Sequence, residues 1–341
     1  MEVDWDLRGN GVRVQLLTTP AMVSLGETQS ESAAPGVRSL GCLVICHKQL
    51  GDLTLLEPAM AKLVEVYGGV DLLTRSGHAA LVSLMEGVRM ISRPSFRRYA
   101  AVFCYDDLSK SAINTFLVRA ARKDLLLRDA SESLWYHRMV FRSICAPGLG
   151  EAYLARYNWE NTMPEVGASY RPPTLLLPPD SWKPEGFALE SYLLLNPTAG
   201  WKSKSWKVGS WVKVLRRLLE HDPEMNILIT SGDQAWQMEH SQKIAKDLGA
   251  RVHFLGGQTG LEAFLWLVSR SRMVLGVDGA ASHLAEAFGR RSLTLFMKSN
   301  MMNWHEPGAF NVAIAAAVNA ETGVLEIESE AVADQAISLW S

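Results

Sequence analysis

A chain of 341 residues with 48% apolar and 21% charged side chains can fill two α/β domains with full cores and leaves little room for disorder. Its 34 lysines and arginines against 36 acidic residues leave a net charge of −2, which excludes a general nucleic-acid binder. No run of about 18 apolar residues occurs, so no transmembrane helix is expected, and the acidic, mixed start MEVDWDLRGNG does not read as a secretory signal.

Residues 1–38 read as an extension, with SLGETQSESAAP at Ser24–Pro35 as a loop or tether. The first core strand is Gly41–Cys46, followed by the loop HKQLGD and a helix over Leu53–Tyr67. Short strands at Val70–Thr74, Val88–Ser92, Tyr99–Tyr105 and Leu125–Leu127 alternate with helices near His78–Glu86 and Lys110–Arg122, and 133–146 reads as an amphipathic helix. This alternation predicts a parallel sheet covered on both faces. Six prolines between Pro164 and Pro184 exclude regular structure and suit an interdomain linker. The alternation then restarts with strands Ser191–Leu195, Asn226–Thr230, Val252–Leu255, Met273–Val277 and Leu293–Phe296. Helices Gly209–His221, Trp236–Leu248 and Leu261–Ser269 lie between them, another starts near Ser282, and Glu328–Trp340 closes the chain.

The expected division is an extension at 1–38, a Rossmann-like domain at 39–163 and a linker at 164–188. A second Rossmann-like domain at 189–325 and a C-terminal helix at 326–341 complete it. Two such halves imply a cleft lined by the carboxyl ends of both sheets. Cys42, Cys46, Cys104 and Cys145 lack the pairing of a zinc site, and three of them sit in apolar runs. Buried, reduced thiols and a cytoplasmic setting are the expectation. The eleven scattered tryptophans read as core or rim residues.

Four places directly after strands could meet in that cleft. In Met273–Gly289, MVLGVDGAASHLAEAFG, a strand feeds a helix through a glycine turn and aims several N–H groups and the positive helix end at one point. That geometry favours an anion, although βα turns of this kind also occur where nothing binds. Asp52, after Gly51, is either a helix-opening acid or a general base. Lys202 and Lys204 in NPTAGWKSKSW are either solvated or placed to neutralise a diphosphate leaving group. Gln258–Glu262 reads as a pocket wall, and His283 is either structural or catalytic. No Walker A or Gly-x-Gly-x-x-Gly follows a strand, and neither His-Glu-x-x-His nor Gly-x-Ser-x-Gly occurs.

In this order and spacing, the four places resemble the family-nine glycosyltransferases, typified by ADP-heptose:lipopolysaccharide heptosyltransferases. LVICHKQLGDLTLLEPAMAKL is similar to their first βα unit, and LNPTAGWKSKSWKVGSWVKVLRRL to the opening of their second domain. GLEAFLWLVSRSRMVLGVDGAASHLAEAFG is similar to their hallmark segment, including Asp278, Ser282 and His283. The resemblance implies a GT-B fold of two Rossmann-like domains facing a central cleft, and an inverting, metal-independent transfer that uses no cofactor.

Asp52 would deprotonate the acceptor hydroxyl. Lys204 would hold the donor diphosphate with N–H groups at Gly279, Ala280 and Ala281, and Thr259 would lie by the adenine. Asp278, Ser282 and His283 would line the donor pocket, Glu239 would bind the ribose, and Lys110 and Ser111 would face the acceptor. The implied partners are an ADP-heptose-like nucleotide sugar and a lipopolysaccharide core, or a related glycan or lipid-linked glycan. Such an acceptor would bring peripheral contact with the inner membrane, for which no basic amphipathic helix stands out.

Three places depart from the family pattern: Lys48-Gln49 before Gly-Asp, Asp278-Gly279-Ala280 in place of Asp-Thr-Gly, and Met297-Lys298-Ser299 in place of Gly-Pro-Thr. They leave the donor sugar open. They also keep two alternatives: a nucleotide-sugar or glycan binding protein of the same fold with little or no transferase activity, and a GT-B sugar-nucleotide epimerase.

Overall fold

The computed structural model describes residues 41–94, 98–246, 248–256, 259–319 and 325–341, so the extension at 1–38 and Gln258 lie outside the described residues. The apolar run at the start of this stretch forms β1 (Cys42–Ile45), with every residue buried, as a strand covered on both faces requires. Next come α1 (Leu50–Thr54), α2 (Glu57–Tyr67), β2 (Val70–Leu73), α3 (Ala79–Ser83), β3 (Val88–Ile91) and β4 (Arg98–Cys104). The first half closes with α4 (Ser109–Leu117), β5 (Arg119–Leu126), α5 (His137–Val140), β6 (Ser143–Cys145) and α6 (Leu154–Asn161). Its six strands are parallel in the order β3-β2-β1-β4-β5-β6.

The second half runs β7 (Leu193–Asn196), α7 (Val208–His221), β8 (Ile227–Ile229), α8 (Ala235–Ala245), β9 (Val252–Phe254) and α9 (Leu261–Arg270). Then follow β10 (Met273–Val277), α10 (Ala280–Ala287), β11 (Arg291–Phe296), α11 (Met301–Trp304), β12 (Asn311–Ala315) and α12 (Ser329–Trp340). This sheet is also six-stranded and parallel, ordered β12-β11-β10-β7-β8-β9. In α7 the buried positions Trp211, Val214, Leu215, Leu218 and Leu219 recur at helical spacing, and the helix packs on α12. One continuous core joins the halves: Leu53, Met60 and Leu63 share it with Leu265, Val268, Leu284 and Phe288.

Three expected elements differ. The helix over Leu53–Tyr67 is broken, with α1 ending at Thr54 and α2 starting at Glu57 with Pro58 in its first turn. The helix expected over Lys110–Arg122 stops at Leu117, and β5 begins two residues later. Arg119 and Arg122 pair with Arg98 and Ala101 of β4, and these ladder partners outweigh the helix propensity of the RAAR run. The helix expected over 133–146 is reduced to the single turn α5, because Ser143–Cys145 is taken up as the sheet's edge strand beside β5.

The proline-rich stretch has no strand or α-helix, only a 3₁₀ turn at Asp180–Trp182. It is nonetheless docked. Leu175 N–H donates to Ala287 and Leu176 N–H to Leu84, while the buried carboxylate of Glu57 accepts from Arg171 and from Thr174 N–H.

Candidate functional site

The carboxyl ends of the two sheets face a cavity of about 1150 Å³. The first half supplies Gln49–Asp52 at the start of α1 and Arg128 just beyond β5. The second supplies Thr198 and Lys204 after β7, Gln237 from α8, Thr259, the turn Asp278–Ala281 after β10, and Lys298, Ser299 and Trp304. Gly51 brings the two walls together, since a Cβ there would lie 2.9 Å from His283 Cδ2 and 3.7 Å from the Ala280 Cα. A side chain at this position would push α1 off α10.

Two ion pairs face the cavity. Asp52 pairs with Arg128 and also accepts from Gln49 N–H at 3.3 Å, so the carboxylate is held from two sides. Lys204 Nζ donates to Asp278 Oδ2 at 2.5 Å. Asp278 is buried, and its other oxygen lies 3.9 Å from His283 Nε2, beyond hydrogen-bond reach. Burial pulls the His283 imidazole below its ordinary value, against the opposing pull of Asp278 and Asp52, so the ring is neutral at pH 7. The Trp304 ring lies 5.2 Å from the Arg128 guanidinium and 5.8 Å from Lys204 Nζ, linking the two pairs.

The N–H groups of Gly279, Ala280 and Ala281, at the N-cap and start of α10, have no partner inside the helix, and these residues line the cavity, where the helix dipole also favours negative charge. The hydroxyls of Thr198 and Ser299 line the same cavity, are buried and make no hydrogen bond within the protein. Unpaired buried hydroxyls are costly unless a ligand or water meets them. Two lysines, a helix N-terminus and two free hydroxyls thus converge on one volume, an arrangement that suits a polyanion.

Residues 172–331 match the family model of glycosyltransferase family 9 (heptosyltransferase). The whole fold is similar to that of E. coli heptosyltransferase WaaC with ADP, with a TM-score of 0.69, 19% identity, and 88% of this chain and 99% of that one covered. It is similar to E. coli ADP-heptose lps heptosyltransferase II, with a TM-score of 0.70, 15% identity, and 88% and 98% covered. It is similar also to a glycosyl transferase family 9 structure from Veillonella parvula DSM 2008, with a TM-score of 0.72, 12% identity, and 89% and 98% covered. At these identities the likeness is one of fold, and that fold is GT-B. No curated protein matches the chain by sequence.

Within the matched stretch, Lys204, Thr259, Asp278, Gly279, Ala280, Ala281 and His283 all line the cavity, and Asp52 meets them from the first half. Ser282 is turned to the helix backbone, its hydroxyl donating to Gly279 at 2.8 Å, and it is absent from the lining. Lys202 is exposed outside the cavity, with Nζ 5.7 Å from the Trp236 ring. Glu239, expected at the ribose, is exposed, pairs with Lys243 one turn on, and lies outside the lining. The reason is register: α8 starts at Ala235, so its first turn offers Gln237 to the cavity, with Asp233 and Gln234 just ahead of it.

The acceptor-side pair also separates. Lys110 is exposed away from the cavity, and Ser111 is fully buried. Ser111 Oγ lies 3.1 Å from His47 Nδ1, and His47 N–H donates to Asp106 at 2.7 Å. Burial alone would raise the Asp106 carboxyl, but hydrogen bonds from His47 and Ser111 outweigh it and hold the group below its ordinary value. This network pins the loop that leads into Gln49–Asp52, so Ser111 supports the site from behind.

Arg128 and Trp304 carried no sequence signal, because each reaches the cavity from a loop or a short helix with no motif of its own, and Thr198 lay within NPTAGWKSKSW without being singled out there. Lys298 and Ser299 were visible only as departures from the family pattern. Among the described residues, no group of three or more His, Cys, Asp or Glu side chains could hold a metal ion. Cys42, Cys46 and Cys104 are free and buried, and burial pushes the Cys46 thiol up to about 12.

Proposed function

We propose that this protein is an inverting, metal-independent glycosyltransferase that moves a heptose-like sugar from an ADP-sugar to a lipopolysaccharide core or related glycan acceptor. The observation that carries the reading is the convergence of Lys204, Lys298, the start of α10 and the free hydroxyls of Thr198 and Ser299 opposite Asp52. The first sheet is then the acceptor side and the second the donor side. The ADP bound to the WaaC structure supports the choice of base.

In the proposed reaction, the acceptor hydroxyl loses its proton to Asp52 as its oxygen bonds to the anomeric carbon. The bond from that carbon to the diphosphate oxygen breaks on the opposite face, inverting the centre. Arg128 orients the Asp52 carboxylate, and Lys204 and the α10 N–H groups take up the charge on the departing ADP. Thr259 sits by the base, while Asp233 and Gln237 replace Glu239 as the ribose side. The reaction belongs in the cytoplasm, where nucleotide sugars are made and used.

A thermal-shift titration with ADP, UDP, GDP and their sugar conjugates tests this. Ligand at about 100 times its dissociation constant stabilises the fold by roughly 2.7 kcal/mol. Selective stabilisation by ADP and ADP-heptose is expected. Selectivity for another base would replace the donor, and no shift with any nucleotide would overturn the reading.

A further inference from the structure

The outer side of the first sheet carries an apolar face that the transferase reading does not use. On α4 the outward positions Ile113, Phe116 and Leu117 are all exposed, although they recur at the spacing of a helix stripe that ordinarily faces a core. The inward positions Ser111, Ala112 and Thr115 are the buried ones. The neighbouring segment adds Trp135 and Met139, 77% and 74% exposed. Tyr136 ties the two together by donating to the Asp107 carbonyl at 3.4 Å, and α4 packs on α5. Contiguous apolar exposure of this kind marks a contact surface.

The charges around it are of one sign. Phe116 and Met139 share the wall of an open concavity of about 890 Å³ with Arg98, Arg119, Lys123, Arg138 and Arg142, and no acidic residue lines it. Lys123 is satisfied by the Thr115 carbonyl at 2.8 Å. Among the described residues, the four arginines make no ion pair. Arg98, Arg119 and Arg142 stand at the starts of β4, β5 and β6, the end of the sheet opposite the cavity, and Arg138 lies on α5.

We propose that this face docks the protein on an anionic lipid surface, with headgroup phosphates on the four arginines and Phe116, Trp135 and Met139 inserted at the acyl boundary. Large apolar tips beside unpaired arginines suit such a surface, where the rings and stems bury while the guanidinium heads stay with the phosphates. A second copy is a poor occupant, because a two-fold contact here would set four arginines against four. No described helix is long and apolar enough to cross a membrane. It is independent of which sugar is transferred, since none of these residues lines the cavity.

The test is sedimentation of the full chain with vesicles of phosphatidylcholine alone and of equal parts phosphatidylcholine and phosphatidylglycerol. Binding to the anionic vesicles only, weakening as salt rises, is expected. Arg138→Ala with Arg142→Ala should lower the partition constant roughly fivefold per arginine. Phe116→Ser with Met139→Ser should lower it roughly tenfold or more. Each variant must keep the parent's ADP-induced thermal shift, which separates loss of docking from loss of fold or of the donor site. Equal binding to both vesicles, no binding to either, or variants that bind like the parent would overturn the proposal. So would a lipid-free dimer abolished by the apolar variant, which would assign the face to a second copy.

Discussion

Two ion pairs face each other across the cleft, and they differ in which partner a ligand can reach. In the pair of the first half both side chains are part-exposed, Arg128 at 25% and Asp52 at 15%. In the pair of the second half the carboxylate on the cavity wall is nearly closed off, with Asp278 at 3%, and Lys204, at 19%, is the more open partner. An open carboxylate held by an arginine can still accept a proton from an incoming hydroxyl. A closed one can only fix the cation in front of it, which remains free to bind an anion through its other N–H groups. An aspartate paired with a basic side chain therefore leaves an open carboxylate on one wall and an open cation on the other.

The sharpest break in this comparison is Asp52→Asn. It should cut acceptor-dependent ADP release by about 10²–10⁴ and leave the ADP thermal shift unchanged. Surviving turnover would mean that Asp52 is not the base.

On the other wall, Lys204→Ala leaves Asp278 buried without its cation and should cost about 3 kcal/mol of stability together with ADP affinity. Adding Asp278→Asn should restore most of the stability in a denaturant titration and none of the affinity. If Lys204→Ala alone kept full ADP affinity, the diphosphate role would fall.

A third carboxylate, Glu286, probes a contact between the halves. Tyr153 Oη donates to it at 2.8 Å, and burial pushes its carboxyl up to about 7. The folded protein therefore holds a proton there that the unfolded chain has released. Stability should fall as pH rises from about 4.5 through about 7. Glu286→Gln should remove that fall and be more stable by up to roughly 3 kcal/mol above about pH 8, with little difference at acid pH. Parallel pH–stability curves for the two proteins would contradict the burial argument.

Gly51→Ala should be milder. The added methyl meets the His283 ring at 2.9 Å, for roughly 1–2 kcal/mol of stability, and should lower turnover more than ADP affinity because it displaces Asp52. Smallest of all is Glu239→Ala, expected within about 0.5 kcal/mol of the parent and with unchanged ADP affinity. A loss of affinity there would return the ribose to Glu239.

The second half was the more legible in sequence, and the contrast has a local cause. Its strands are short apolar runs set between helices with clear apolar stripes, such as Trp211–Leu219, so period and length agree. In the first half, β5 opens with RAARKD and β6 is only Ser143–Cys145; neither looks like a strand until its ladder partner, β4 for β5 and β5 for β6, stands beside it. The scattered tryptophans divided in a similar way. Trp211 is core, as expected, whereas Trp304 links the two ion pairs and Trp135 stands on an outer face.

What the sequence determined by itself is local. Two parallel α/β sheets, a proline-rich passage between them, and a glycine turn that starts α10 follow from hydrophobic period, proline and glycine, each acting within a few residues. Tertiary structure decided the rest. Asp52 meets Arg128 from 76 positions away, and Lys204 meets Asp278 from 74. Thr198 and Ser299 are left without partners, Glu239 is turned out, and Ser111 is buried behind the site. Each of these depends on where a side chain's neighbours in space come from, and the period of a single strand or helix carries no record of them.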